Sequence, residues 1–258
     1  MPKSDLTLSP PPSHSNNSAV RSLGASIGSH TLDNPIWNSL LTEHSPFAIS
    51  NGLARRYPNA IGPLSGITRQ SPENYEALRI LAGPGGIVVL FCTEPPSPPP
   101  GWTLVRGGLL TQMVCLEVAN DLPSAFTRGE ELRPLTGADV AEMVALAELT
   151  EPGPFRQRTI ELGAFFGIFQ SGRLLAMAGQ RLHLPQFVEV SAVCTHPDAR
   201  GRGDARLLIA TVMDEIGQRG KTPFLHSFAD NSSAIRVYES LGFTERRTLE
   251  LAVLKNEL

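Results

Sequence analysis

The sequence predicts a mixed α/β fold, and three features predict it. Short apolar runs of strand length recur between residues 165 and 254. Amphipathic helix patterns lie between them; the longest places Ala205, Leu208, Ile209, Val212, Met213 and Ile216 on one stripe. A glycine-punctuated turn, Arg200-Gly201-Arg202-Gly203, joins a strand to that helix.

The elements follow in chain order. Residues 1–30 open with MPKSDLTLSPPPSHSNNS, which is rich in Pro, Ser and Asn and reads as a mobile tail. It lacks the apolar stretch of a secretory signal. A smaller α/β region is expected over residues 33–125. Asp33 and Asn34 before Pro35 start a helix running to Glu43. Ser71-Pro72-Glu73 opens another, to Ala82. Gly85-Gly86 leads into a strand from Ile87 to Phe91. Residues 94–101 (EPPSPPPG) form an exposed loop, and Leu109 to Val118 reads as a strand. This region carries no motif assignable to chemistry. Its order of elements is compatible with a shortened copy of the fold that follows it.

Residues 130–258 form the more legible domain. Thr136 caps a helix over Asp139 to Leu149, and Glu151-Pro152-Gly153-Pro154 ends it. Phe165 to Phe169 and Arg173 to Leu182, joined by Ser171-Gly172, read as a hairpin. Phe187 to Thr195 is the next strand. The long helix after Gly203 is closed by Gly220. Phe224 to Ala229 is a strand, Asn231 caps a short helix ending at Gly242, and Phe243 to Leu254 supplies one or two more strands.

Composition narrows the function. The chain has 258 residues and is 41% apolar, enough for a substantial core. A net charge of −3 gives no general reason to bind nucleic acid. Cys92, Cys115 and Cys194 are few and widely spaced, which fits a reduced, cytoplasmic setting. No Cys/His cluster has metal-ligand spacing, and no apolar run is long enough to cross a membrane.

The turn at residues 200–205 carries the chemistry. Glycines let backbone N–H groups approach an anion, and a helix N-terminus presents unpaired donors at its positive end. Arg200 and Arg202 add charge. A phosphate-bearing ligand at the end of a strand is expected.

Two motifs then resemble the GNAT superfamily of acyl-CoA-dependent N-acyltransferases. Arg200-Gly201-Arg202-Gly203-Asp204-Ala205 is similar to its Arg/Gln-x-x-Gly-x-Gly/Ala loop. Asn231-Ser-Ser-Ala234-Ile-Arg-Val-Tyr238-Glu-Ser-Leu241-Gly242-Phe243 is similar to its second signature. The loop alone is a weak signal; both motifs in order, with a strand between them, are a strong one. The resemblance covers about residues 132–258. Pro152-Gly153-Pro154-Phe155 and the strand entering Pro197 resemble one bacterial branch, whose substrate is unassigned.

The resemblance implies acetyl-CoA as acyl donor, with no metal, lying in a V-shaped opening between the strands Val188–Thr195 and Phe224–Ala229. Arg200, Gly201, Arg202, Gly203, Asp204 and Ala205 would hold the pyrophosphate. The pantetheine arm would pair near Val193, Cys194 and Thr195, and Asn231 would touch the cofactor from the second strand. The acceptor would be a primary amine on a small molecule or peptide; a homodimer is compatible with it.

Acyl transfer needs a deprotonated amine, a polarised thioester carbonyl and a proton for the leaving thiolate. Tyr238 is the expected acid, one helical turn after Ala234; its bland alternative is a packed core tyrosine. Glu189 is the expected base, acting through water, because strand alternation groups Phe187, Glu189, Ser191, Val193 and Thr195 on one mixed face. Ser191 is an expected substrate contact. Cys194 has no His/Asp partner at a recognisable spacing and is read as a buried thiol rather than a nucleophile. His196 reads as structural, and His183 and His226 as core-edge residues. Asp204 departs from the family pattern. A carboxylate about 7 Å from a pyrophosphate costs roughly 1 kcal/mol, so Asp204→Tyr is expected to tighten cofactor binding.

Two further function classes compete. A non-catalytic acyl-CoA-binding or sensing module would share the loop but not need Tyr238 and Glu189. A P-loop nucleotide binder fails because no Gly-Lys-Ser/Thr follows the glycines.

Overall fold

The computed structural model describes residues 30–117 and 130–258. The expected tail, and the end of the first region, lie outside them.

Pro at its first position and Asn34 before it start α1 (Pro35–Leu41). Three short strands follow: β1 (Ile49–Ser50), β2 (Ala54–Arg56) and β3 (Ser65–Ile67). Ser71 accepts from the Asn74 N–H to cap α2 (Pro72–Ala82). Then come β4 (Ile87–Cys92), β5 (Trp102–Val114) and β6 (Glu131–Pro134). A capping box between Thr136 and Asp139 precedes α3 (Val140–Thr150). The hairpin β7 (Phe165–Gln170) and β8 (Arg173–His183) leads to β9 (Phe187–Thr195) and α4 (Asp204–Gln218). The chain closes with β10 (Thr222–Phe228), α5 (Ser232–Glu239) and a single last strand, β11 (Thr244–Asn256).

β1, β2 and β3 form a small sheet, and the other strands form one eight-stranded sheet in the order β4-β11-β5-β10-β9-β8-β7-β6. Only β9 and β10 run parallel in it. The two regions read from the sequence therefore share one sheet. β5 lies between β10 and β11, so removing residues 1–125 would take out an interior strand. Residues 31–258 form a single compact unit. β5 begins earlier than its apolar pattern predicts, because its first half is largely exposed.

Helices cover both faces. The apolar stripe of α4 (Leu208, Ile209, Val212, Met213, Ile216) packs on Val188, Val190, Met113 and Leu225. α3 covers the opposite face through Met143, Leu146 and Ala147, against Phe165, Met177, Ala192 and Cys194. Val188 and Val190 thus lie on one face while Ala192 and Cys194 lie on the other, which breaks the expected alternation. The cause is a bulge. Ala192 has φ 52°, and Met177↔Cys194 and Gly179↔Ser191 pair with one extra residue on β9.

Ile36 and Leu40 of α1, with Leu32 from the turn before it, pack beneath the same sheet, beside a pair of stacked histidines. His44 and His183 stack with ring centroids 4.9 Å apart, and His44 Nδ1 meets the Tyr57 hydroxyl at 2.8 Å. Burial, reinforced by His183, pushes His44 down to about 3; burial and Lys221 push His183 down to about 4. The unfolded chain takes up these protons near pH 6.5, but the folded chain does not. Stability is therefore lost as pH falls below 6.5, at up to about 1.4 kcal/mol per pH unit for each buried proton acceptor. Thermal melts at pH 7 and pH 5 should show this loss, and His44→Phe should flatten it. An unchanged slope in the variant would remove His44 as its source.

Candidate functional site

The parallel ladder between β9 and β10 stops early. Its partners are Thr222↔Phe187, Pro223↔Val188 and Phe224↔Glu189. Beyond them the strands diverge, β10 staying with β5 as far as Phe228↔Leu110. The bulge at Ala192 sits within the diverging half of β9. This local departure from sheet geometry makes the V-shaped opening.

A cavity of about 600 Å³ occupies the opening. Val193 lines one side; His226, Ser227, Phe228, Asn231 and Tyr238 line the other. Its rim is the end of α3 and the Glu151-Pro152-Gly153-Pro154-Phe155 turn. The 64–110 segment supplies Leu64, Val89, Phe91, Arg106 and Leu110 to the same cavity.

Tyr238 is half-buried on α5, its ring edge-on to Phe243 at 6.2 Å. Burial pushes its hydroxyl up to about 12. Asn231 caps α5, its Oδ1 accepting from the Ala234 N–H at 3.2 Å. It therefore has a structural duty as well as a place in the cavity wall.

Glu189 is not where the sequence pattern places it. It is 0% exposed, not on a wet face. Arg181 clamps it from β8, Nε to Oε2 at 2.7 Å and Nη2 to Oε1 at 2.6 Å. His226 Nδ1 lies 2.6 Å from the same Oε1. Burial alone would raise its pKa, but the Arg181 charge and hydrogen bonds and His226 outweigh it and hold the carboxyl at about 2. A carboxyl held in this way, without solvent contact, does not match the wet, water-mediated base that the sequence pattern leads one to expect. Glu189 is the last paired residue of β9 before the strands part.

The polar chain continues past His226. Gln112 Nε2 lies 2.9 Å from His226 Nε2 and donates to the Leu32 carbonyl, while Arg246 donates to Gln112 Oε1 at 2.8 Å. An amide NH2 only donates, so His226 Nε2 accepts and its proton sits on Nδ1, directed at Glu189. Arg246 also reaches Asp33 Oδ1 at 2.8 Å. Sequence reasoning missed Arg181, His226 and Gln112. One signal was available: an arginine and a glutamate in otherwise apolar strands of adjacent segments, a pairing that burial demands.

Ser191 lines a small neighbouring recess with Arg181 and Ala192, not the large cavity. Cys194 is buried, its thiol pushed up to about 11 by burial, which suits neither a nucleophile nor a side-chain ligand. Thr195 is half-buried at the strand end.

The loop entering α4 turns through two glycines in the left-handed region. Gly201 and Gly203 have φ of 76° and 89°, and Gly203 precedes the first helical residue. Arg200 is exposed beside them, and Ala205 lies in the first turn. Arg202 is already engaged: it donates to the Asp198 carbonyl at 2.9 Å and to Gln170 at 3.2 Å, and approaches Glu130 at 3.5 Å. These bonds tie the loop to β7. Asp204 is only 4% exposed, so a tyrosine there must displace packed neighbours and the expected gain in affinity does not follow. Among the described residues, no group of three or more His, Cys, Asp or Glu is placed to hold a metal ion. No helix there is long and apolar enough to cross a membrane.

The FR47-like protein family matches residues 165–252, spanning β7 to β11. The mycothiol acetyltransferase of Mycobacterium sp. (strain JLS) is 34% identical over 125 residues, 46% of this chain and 39% of that protein. The ribosomal protein bS18-alanine N-acetyltransferase of Escherichia coli (strain K12) is 35% identical over 81 residues, 31% of this chain and 54% of that enzyme. The chain thus spans about half or less of these curated relatives. A GCN5-related N-acetyltransferase from Kribbella flavida shares the fold at TM-score 0.54 and 16% identity, covering 81% of this chain and 88% of that one. A structure from Novosphingobium aromaticivorans, described as an acetyltransferase of the GNAT family, superposes at TM-score 0.80 with 41% identity, covering 89% of this chain and all of its own (100%). With that identity along nearly its whole described length, this chain belongs to the GNAT family.

Proposed function

We propose that this chain transfers an acetyl group from acetyl-CoA to a primary amine by direct attack in the cleft between β9 and β10. The early end of the β9–β10 ladder, opening onto a cavity that contains Tyr238, is the observation that carries the reading. The loop amides of residues 200–205 would grip the pyrophosphate, with Arg200 as the side-chain cation. The pantetheine arm would lie along the edge of β9 that lacks a β10 partner from Val190 onward, near Val193 to Thr195.

The amine reaches the site as an ammonium and must lose a proton. With Glu189 committed to Arg181, the carboxylates left to line the cavity are Glu148 and Glu151, exposed at its rim, and the proton passes to water there. The amine lone pair then forms the C–N bond and the C–S bond breaks. Tyr238 protonates the departing thiolate and is reprotonated by the proton that the new amide nitrogen sheds.

Incubation with acetyl-CoA and pooled amines should release free thiol, and CoA should bind saturably. Binding without thiol release would favour the second reading, an acyl-CoA-binding module; the closed Arg181–Glu189 pair is the observation on its side. Gly203→Val tests the loop. A β-branched residue at φ 89° is strained by about 1–3 kcal/mol, so the amides shift and CoA affinity should fall roughly tenfold. Unchanged affinity would place the pyrophosphate elsewhere.

A further inference from the structure

Acetyl transfer as proposed above leaves most of the cavity unexplained. Its volume, about 600 Å³, extends from the splayed strands across the sheet face of β10, β5, β11 and β4. The wall there is Leu64, Val89, Phe91, Leu110, Leu251 and Val253. Their arrangement follows the register: Phe228 lies beside Leu110, Leu251 lies between Gly108 and Phe91, and Val253 between Arg106 and Val89. Gly108 adds no side chain to this floor.

Thr150, Ser227, Asn231 and Tyr238 also line the cavity, but two of its more buried polar groups have little to give a ligand. Arg181 spends its fork on Glu189, and both His226 ring nitrogens are used, by Glu189 and by Gln112. A sugar or peptide would bury hydroxyls or amides against them without partners. The rim is different. Glu148 and Glu151 are exposed carboxylates at the end of α3, where a cation would be welcome. Arg106 stacks over the Phe228 ring at 4.9 Å, adding a flat cationic cover on the opposite side.

We infer that the acceptor, on the acetyl-transfer reading, is a primary amine carried on an apolar body, of the arylalkyl or medium-chain alkyl class. The body lies on the Val89–Leu110–Val253 wall, and the ammonium enters past Glu148 and Glu151. A long acyl chain on CoA could fill the same wall, but it would leave the rim carboxylates without a purpose, so the amine is the better occupant.

The test uses saturating acetyl-CoA with 2-phenylethylamine, n-hexylamine, glucosamine and alanylglycine as acceptors. The two apolar amines should exceed the two polar ones in kcat/KM by about 50-fold or more. Val253→Phe narrows the cavity and Val253→Thr makes the wall polar without changing its size. Both should raise KM for 2-phenylethylamine about 5-fold or more while the Kd for CoA, measured by calorimetry, stays as in the unaltered protein. Intact CoA binding also shows that the variants fold. Equal or better turnover of glucosamine or alanylglycine overturns the assignment, as does CoA binding with no turnover of either apolar amine. Preference for octanoyl-CoA over acetyl-CoA that Val253→Phe abolishes, with the KM for 2-phenylethylamine unmoved, reassigns the wall to the acyl chain and overturns it too. Failure to bind CoA at all is a different result: it removes the acetyl-transfer reading, and this inference with it.

Discussion

Tyr238→Phe should lower kcat by about 100-fold or more while leaving the Kd for CoA unchanged. The hydroxyl is the only part removed, and the edge-on contact with Phe243 survives, so folding should not suffer. With its pKa pushed up to about 12 by burial, the phenol keeps its proton across the whole working range of pH. The same burial makes it a weak acid. It can give that proton only as negative charge gathers on sulfur during C–S cleavage, which makes the transfer concerted with departure of the thiolate. Two measurements check this. Thiol release by the variant should be slow at every amine concentration, and the wild-type rate should show no alkaline fall attributable to Tyr238 up to pH 10. Equal rates in the two proteins would leave the tyrosine a packing residue.

Arg181→Met should destabilise the fold by about 3–5 kcal/mol, the usual result of stranding a buried charge. Glu189 would keep only His226, whose Nδ1 lies 2.6 Å from its Oε1. In a chain of this size the melting temperature should drop by roughly 10 °C. The double variant Arg181→Met/Glu189→Leu should recover most of the loss, because no charge remains to be buried. The pair also sets an acid limit. Glu189 is held at about 2, against an ordinary 4.5, so its stabilising contribution is present above pH 4.5 and is lost as pH falls toward 2. Denaturant melts of the wild type should weaken across that window, and Glu189→Gln should lack this component. A double variant no more stable than Arg181→Met would mean that the residues serve separate purposes.

Much of the fold was legible because its signals are local. α2, α4 and the β7–β8 hairpin match their caps, stripe and turn almost residue for residue. The segments β1 to β3 were missed because strands of two or three residues carry no periodicity. The place of β5 between β10 and β11 depends on contacts more than a hundred residues apart, which no local pattern encodes.

The site divides the same way. Gly201 and Gly203 were visible as a turn, and Tyr238 through the family resemblance; the glycines have left-handed φ and Tyr238 lines the cavity. Glu189 was misplaced for one physical reason. Alternation treated its face as wet, whereas Arg181 on the neighbouring strand and His226 on the next neutralise it in the interior. The bulge at Ala192 then reversed the faces of Ala192 and Cys194. Neither a partner across a hairpin nor a single residue in the left-handed region can be read from period-two alternation.

Amide hydrogen exchange with and without saturating CoA bears most directly on the proposed grip on the cofactor. Protection should rise in residues 190–195 and 200–206, the unpaired edge of β9 and the entry to α4, with a saturable dependence on CoA concentration. Protection elsewhere, or none at millimolar CoA, would contradict the placement of the acyl donor and the transfer reaction built on it.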